Sequence, residues 1–188
     1  MGADAAARPP LAAVFGSSEA GPEDLLYRDA LRLARLLAGR GWGVVTGGYG
    51  GVMEAANRGA YEAGALSVGI TTHAFDVFPE RRPNRWLSEH RVHDTLLRRT
   101  GDLLETASAY AVFHGGAGTL AEAALLWAHQ RAGILGGKPI VLMGRMWENV
   151  LRALGEAALL SANETDVCRV AGTVEEAAEH LTRGLPIR

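Results

Sequence analysis

Two clusters of glycine carry the first chemical signal. Gly47, Gly48, Gly50 and Gly51 follow the apolar run Gly43–Thr46, and Gly115, Gly116 and Gly118 follow Tyr110–Phe113; each cluster opens a stretch with helical spacing. A glycine turn between strand and helix lets backbone amides approach a ligand, and the helix N-terminus favours negative charge, so phosphate is the natural ligand. Gly16, Ser17 and Ser18 follow the first apolar run, Leu11–Phe15, and the two serines suit hydrogen bonds to a nucleotide. Glycines also make plain tight turns, but two clusters at matching strand ends favour binding. A Walker A loop needs a lysine after its last glycine. Lys138 is the sole lysine and follows neither cluster, so nucleoside triphosphate hydrolysis loses its main support.

Arg99 and Glu122 are the candidate reactive pair. A helical projection from Val92 puts Arg91, Asp94, Thr95, Arg98, Asp102 and Glu105 on a polar side, and Arg99 with Val92, Leu96 and Leu103 on the apolar side. Arg98 then reads as a solvated partner of Asp94 or Asp102. Arg99 brings a charge toward the core, which is costly unless an anion or a carboxylate pairs with it; Glu54 and Glu122 are the internal candidates. Glu122 lies one turn into the helix after the second glycine cluster. Thr119-Leu120-Ala121-Glu122 is also a capping-box pattern, as is Thr173-Val174-Glu175-Glu176, so spacing alone leaves Glu122 structural.

Other chemistries find less support. Gly116-Ala117-Gly118-Thr119-Leu120-Ala121 fits the loose dinucleotide fingerprint, but Gly144 and Arg145 stand where an acidic ribose-binding residue is needed, so redox chemistry is disfavoured. Ser17 and Ser18 lack the Gly-x-Ser-x-Gly elbow of a serine hydrolase. The histidines at 73, 90, 93, 129 and 180 are scattered, no metal pattern is present, and no metal is expected.

The elements that must position these residues follow from the apolar runs. Strands are expected at Leu11–Phe15, Gly43–Thr46, Leu66–Ile70, Tyr110–Phe113, Pro139–Met143 and near Val167–Val170. Helices are expected around Leu26–Leu37, Val52–Ala63, Val92–Thr106, Thr119–Arg131, Trp147–Leu159 and Thr173–Leu181. Thr71–Ser88, with Pro79, Pro83 and Asn84, reads as a long loop that covers a site. The alternation predicts one doubly wound α/β domain of Rossmann type over residues 1–188, with a mainly parallel sheet, helices on both faces and a flexible lead at 1–10. Ligands of such sheets sit outside the carboxyl ends of the strands.

Composition agrees with a folded domain and narrows its partners. The 188 residues are 48% hydrophobic and 21% charged, with a net charge of -2, so no global positive field recruits nucleic acid or an anionic membrane. No apolar stretch reaches the roughly 18 residues of a membrane span. A lone cysteine, Cys168, excludes an internal disulfide and fits a reducing compartment, the cytoplasm.

Gly115-Gly116-Ala117-Gly118-Thr119-Leu120-Ala121-Glu122 resembles the Gly-Gly-x-Gly-Thr-x-x-Glu signature of the Lonely Guy family, the cytokinin riboside monophosphate phosphoribohydrolases. Thr46-Gly47-Gly48-Tyr49-Gly50-Gly51-Val52-Met53-Glu54 looks like the other glycine turn of that family, and the similarity runs from Val14 to about Val141. The resemblance implies a Rossmann-like homodimer in the cytoplasm that releases a free base and ribose 5-phosphate from nucleoside 5'-monophosphates such as AMP or N6-modified AMP. No cofactor is implied. It places Arg99 and Glu122 in catalysis, and Gly115, Gly116, Gly118, Thr119, Gly16, Ser17, Gly47 and Gly48 around phosphate and ribose. Met53, Glu80 and Asn84 are the expected base pocket. Cleavage of an N-glycosidic bond builds positive charge on the sugar, and a carboxylate near the anomeric carbon stabilises it or activates water; Glu122 is the choice. His114, Glu80 and water stand open as proton donors to the leaving base.

Members of that family have often carried the label lysine decarboxylase. That activity requires a Schiff-base lysine, and Lys138 beside Pro139 is unsuited. His114, Thr100 and Tyr49 depart from the family pattern, which has proline, usually lysine, and a non-aromatic residue there. A rival from another class is a noncatalytic carrier on the same fold, like the molybdenum-cofactor carrier proteins, which bind a phosphorylated pterin derivative.

Overall fold

A computed structural model describes residues 8–79, 81–161 and 168–183. Seven strands form one parallel sheet: β1 (Leu11–Phe15), β2 (Gly43–Thr46), β3 (Ser67–Thr72), β4 (Glu89–His93), β5 (Ala109–Val112), β6 (Ile140–Met143) and β7 (Cys168–Ala171). Their order is β4-β3-β2-β1-β5-β6-β7. The chain winds outward from β1 to β4, returns to place β5 on the other side of β1, and winds outward again. The β1/β5 boundary is therefore the topological switch point, where such sheets open a crevice at the carboxyl ends of their strands.

Strands covered on both faces need apolar side chains in both directions. Leu-Ala-Ala-Val-Phe in β1 is buried throughout. Ala12, Val14, Val44, Ala111 and Val141 pack with residues of α1 (Leu25–Ala38), α2 (Val52–Glu62) and α6 (Val174–Thr182). Leu11, Ala13, Phe15, Val45, Tyr110, Val112 and Leu142 pack with α3 (Leu96–Thr106), α4 (Ala117–Arg131) and α5 (Met146–Glu156). The expected doubly wound α/β architecture is what forms. No helix of the described residues is long and apolar enough to cross a membrane.

One strand departs from expectation. β4 follows directly on the expected loop, which ends at Ser88, and takes the first two residues of the helix expected from Val92. It is an edge strand of Glu-His-Arg-Val-His, half-exposed on both sides, so it presents no apolar face to give a period. The helix begins only at Leu96, where Thr95 Oγ1 accepts the Arg98 amide. Asp102, one of the two partners expected for Arg98 beside Asp94, accepts from Arg91 Nη1 at 2.9 Å and lies 2.9 Å from His93 Nε2, both on β4. The apolar placement of Arg99 survives, since the residue is 5% exposed. The last strand runs Cys168–Ala171; residue 167 and the lead at 1–7 lie outside the described residues.

Candidate functional site at the switch point

Backbone hydrogen bonds stitch three turns together where the sheet reverses. Ser17 N donates to His114 O (3.0 Å), and Val52 N donates to Ser17 O (2.9 Å), so the turns after β1, β2 and β5 share one floor. Close approach dictates the glycines. A Cβ on Gly115 would strike Thr119 Oγ1 and come within 2.9 Å of Ser17 N; on Gly16 it would lie 2.7 Å from Val52 Cγ1. Gly51 faces Ser17 O with no room for a side chain and has φ +71°.

Gly116 and Gly118 differ, because a Cβ on either meets nothing within 4 Å. They line open space at the start of α4, whose N-cap, Gly116, supplies no side chain to bind the first-turn amides. Those amides and the helix dipole are what an anion requires. Because α4 starts at Ala117, Thr119 is inside the helix and Thr119–Glu122 is not a capping box. The matching pattern at α6 is a real cap: Thr173 Oγ1 accepts the Glu176 amide at 3.2 Å. Glu122 is thus free of the structural duty its spacing suggested.

Arg99 reaches across from α3. Its Nε donates to Ile70 O at 2.8 Å, which aims the guanidinium at the glycine turn after β2. A Cβ on Gly47 would fall on that guanidinium and 2.8 Å from Met53 Sδ, so Gly47, Met53 and Arg99 meet at one point. Nη1 stands 3.9 Å from Glu122 Oε1, and the Tyr49 ring centroid lies 5.7 Å from the guanidinium carbon. At 3.9 Å the pair attracts but makes no hydrogen bond. Burial therefore prevails, pushing the Glu122 carboxyl up to about 7 against the pull of Arg99. Burial also lowers the Arg99 pKa, with Glu122 opposing that shift and the positive Arg81 adding to it. A carboxyl poised near neutrality beside a cation and an open anion seat can exchange a proton and stabilise developing positive charge.

The sequence matches the SLOG cluster4 family over residues 10–171. The chain belongs to that family. An uncharacterized protein of Archaeoglobus fulgidus is 32% identical over 112 residues, 60% of this chain and 70% of its own length. Among solved structures, the molybdenum cofactor binding protein from the phototrophic bacterium Rippkaea orientalis is similar with TM-score 0.69 and 25% identity, covering 92% of this chain and 95% of that one. The Moco carrier protein from Chlamydomonas reinhardtii gives TM-score 0.66 and 25% identity over 95% of this chain and 100% of that one.

In this SLOG protein several expected site residues are engaged by the protein itself. The Gly48 amide donates to Thr46 Oγ1 (2.9 Å) and its carbonyl accepts from Asn84 N (2.8 Å). Asn84 Nδ2 donates to Tyr49 O and Asn57 Oδ1, both at 3.0 Å, and its Oδ1 accepts from Trp86 N at 3.0 Å. Gly48 and Asn84 therefore fasten the long loop onto the glycine turn. Tyr49 OH accepts from Thr72 N and donates to Thr72 O, fixing that turn to β3. The Thr100 hydroxyl donates to Leu96 O within α3. His114 is exposed at the rim. Glu80 lies outside the described residues.

Sequence reasoning missed the buried network beneath this turn. Thr46 Oγ1 donates to Asn57 Oδ1 (2.6 Å), and Asn57 Nδ2 donates to Ser67 Oγ (2.9 Å). The available signal was Asn57 itself, a polar side chain on the buried face of α2 among Ala55, Ala56 and Ala60. Among the described residues no group of three or more His, Cys, Asp or Glu is arranged to hold a metal. Lys138 precedes β6, at the amino end of the strands and so at the opposite end of the sheet from the switch-point crevice.

Proposed function

We propose that this protein binds a nucleoside 5'-monophosphate at the switch point and hydrolyses its N-glycosidic bond, giving a free base and ribose 5-phosphate. The observation that carries this reading is the convergence of Arg99 and the near-neutral Glu122 carboxyl beside the uncapped start of α4. First-turn amides around Gly116, Gly118 and Thr119 hold the phosphate, and Arg99 orients the ribose phosphate. The bond from C1' to the base nitrogen breaks with its electron pair leaving on the base. Ionised Glu122 stabilises the charge on the sugar and takes a proton as water oxygen bonds to C1'. The base is protonated by solvent or by His114 at the rim.

The protein acts as a homodimer in this reading. Leu97, 81% exposed, and Leu120 leave apolar surface on α3 and α4 beside the site. Light scattering of the purified chain tests that.

Base release from AMP and its N6-isopentenyl derivative, quantified by chromatography, tests the activity. Glu122→Gln and Arg99→Ala should each abolish release while the fold persists. A second reading, a noncatalytic carrier of a phosphorylated pterin derivative, draws support from the two solved relatives described as molybdenum cofactor binding and carrier proteins. Nucleotide binding without base release would favour it.

A further inference from the structure

The loop between β3 and β4 carries a second cation toward the site. Its 3-10 turn, His73–Phe75, places Phe75 edge-to-face on Tyr49, with ring centroids 5.6 Å apart. Phe78 packs on Phe75 at 6.4 Å. The Arg81 guanidinium carbon lies 4.6 Å from the Phe75 centroid and 5.1 Å from that of Phe78. Tyr49 thus has Arg99 over its ring and, through Phe75, Arg81 beyond it. The Arg81 charge is near enough to oppose that of Arg99. Among the described residues no carboxylate pairs with Arg81, nor with Arg82 or Arg85 on the same loop; what sets Arg81 apart is its stacking on the Phe75 ring that meets Tyr49.

The two cations flank the Tyr49–Phe75 ring pair, and an anion that reaches both relieves their mutual repulsion. Both ends of the loop are tied down. Asn84 and Trp86 tie its return limb to Gly48, Tyr49 and Ser67, and Tyr49 OH ties its start to Thr72. Arg81 is therefore presented on a braced segment, stacked on aromatic rings that restrict its rotamers while its donors stay available.

We propose that Arg81 is a ligand-binding residue of this site, bracketing with Arg99 the anionic part of a phosphorylated ligand and so selecting phosphate esters over their uncharged analogues. This rests on the anion-binding part of the function proposed above and not on bond cleavage.

The test is calorimetric titration of the full chain with AMP, adenosine and inorganic pyrophosphate, in wild type, Arg81→Gln and Arg81→Lys, at several salt concentrations. A lost charge-assisted contact should weaken AMP by about 10- to 100-fold in Arg81→Gln, with partial rescue by Arg81→Lys and a shallower salt dependence. Adenosine affinity should not change, whereas simple collapse of the loop would weaken both. AMP binding equally well to Arg81→Gln and to wild type overturns the proposal. If pyrophosphate binds in an Arg81-dependent way and AMP does not bind, the nucleotide reading fails and the role of Arg81 stands. If neither anion binds, both fall.

Discussion

Glu122→Gln should stabilise the ligand-free protein above neutral pH and leave it unchanged in acid. The Glu122 carboxyl has an ordinary value of 4.5 and stands at about 7 in the folded chain. Between those values the folded state keeps a proton that the unfolded state has released. Wild-type stability therefore falls as pH rises through that window, and the loss is complete above the folded value. At about 1.4 kcal/mol per pH unit, the difference is worth about 3 kcal/mol. Glutamine has the same shape and no charge, so it escapes this loss. The Glu122 side chain is 14% exposed, and the gain is trimmed where water reaches it. For a chain of this size the expected rise in Tm at pH 8 is about 5–10 °C. Urea unfolding of both proteins at pH 5, 6, 7 and 8 measures the difference directly, because every other carboxylate cancels between them. A constant difference across pH, or a less stable Glu122→Gln at pH 8, would refute the reasoning. Arg99 would then be holding an ordinary carboxylate, and the proton-transfer role of Glu122 would lose its physical basis.

Further consequences follow from the same geometry. If Glu122 acts ionised, kcat/KM for AMP should rise with pH along a limb centred near 7, distinct from the phosphate ionisation near 6; a flat profile from pH 5 to 8 would remove the carboxylate from the mechanism. Gly47→Ala puts a methyl group where the Arg99 guanidinium lies; base release should fall by at least about 100-fold with Tm lowered only a few degrees, as chromatography and calorimetry would show. Asn57→Ala strips partners from Thr46, Ser67 and Asn84 at once; the expected loss is about 2–4 kcal/mol in urea, with faster amide exchange at Gly48 and Asn84.

The sheet was legible because its strands are covered on both faces, so each reads as an apolar run between glycine turns. β4 was not, because an edge strand of charged residues has no buried face to impose a period. Missing it also hid two partners of Asp102, Arg91 and His93, which come from that edge and join Thr106 of its own helix. Arg99 was legible despite this, since its spacing from Leu96 and Leu103 is the same whether the helix begins at Val92 or Leu96. The roles of Gly48 and Asn84 could not be read at all. Both look like ligand-facing residues in sequence, and only the folded chain shows their polar groups engaged with Thr46, Asn57 and Trp86.

Glu122 shows where spacing ends and geometry begins. The same four-residue pattern occurs at Thr119 and at Thr173, and local sequence rules treat them alike. What separates them is the residue before: at Thr173 the chain is extended and the threonine caps, whereas at α4 a glycine takes the cap position and the helix starts two residues ahead of the threonine. That shift carries Glu122 out of the first turn, away from the amides a capping residue would serve, and turns it toward Arg99. The glycine that leaves the amides uncapped is thus the same one that releases the carboxylate. An anion seat and a carboxyl held near neutrality arise together from one helix start.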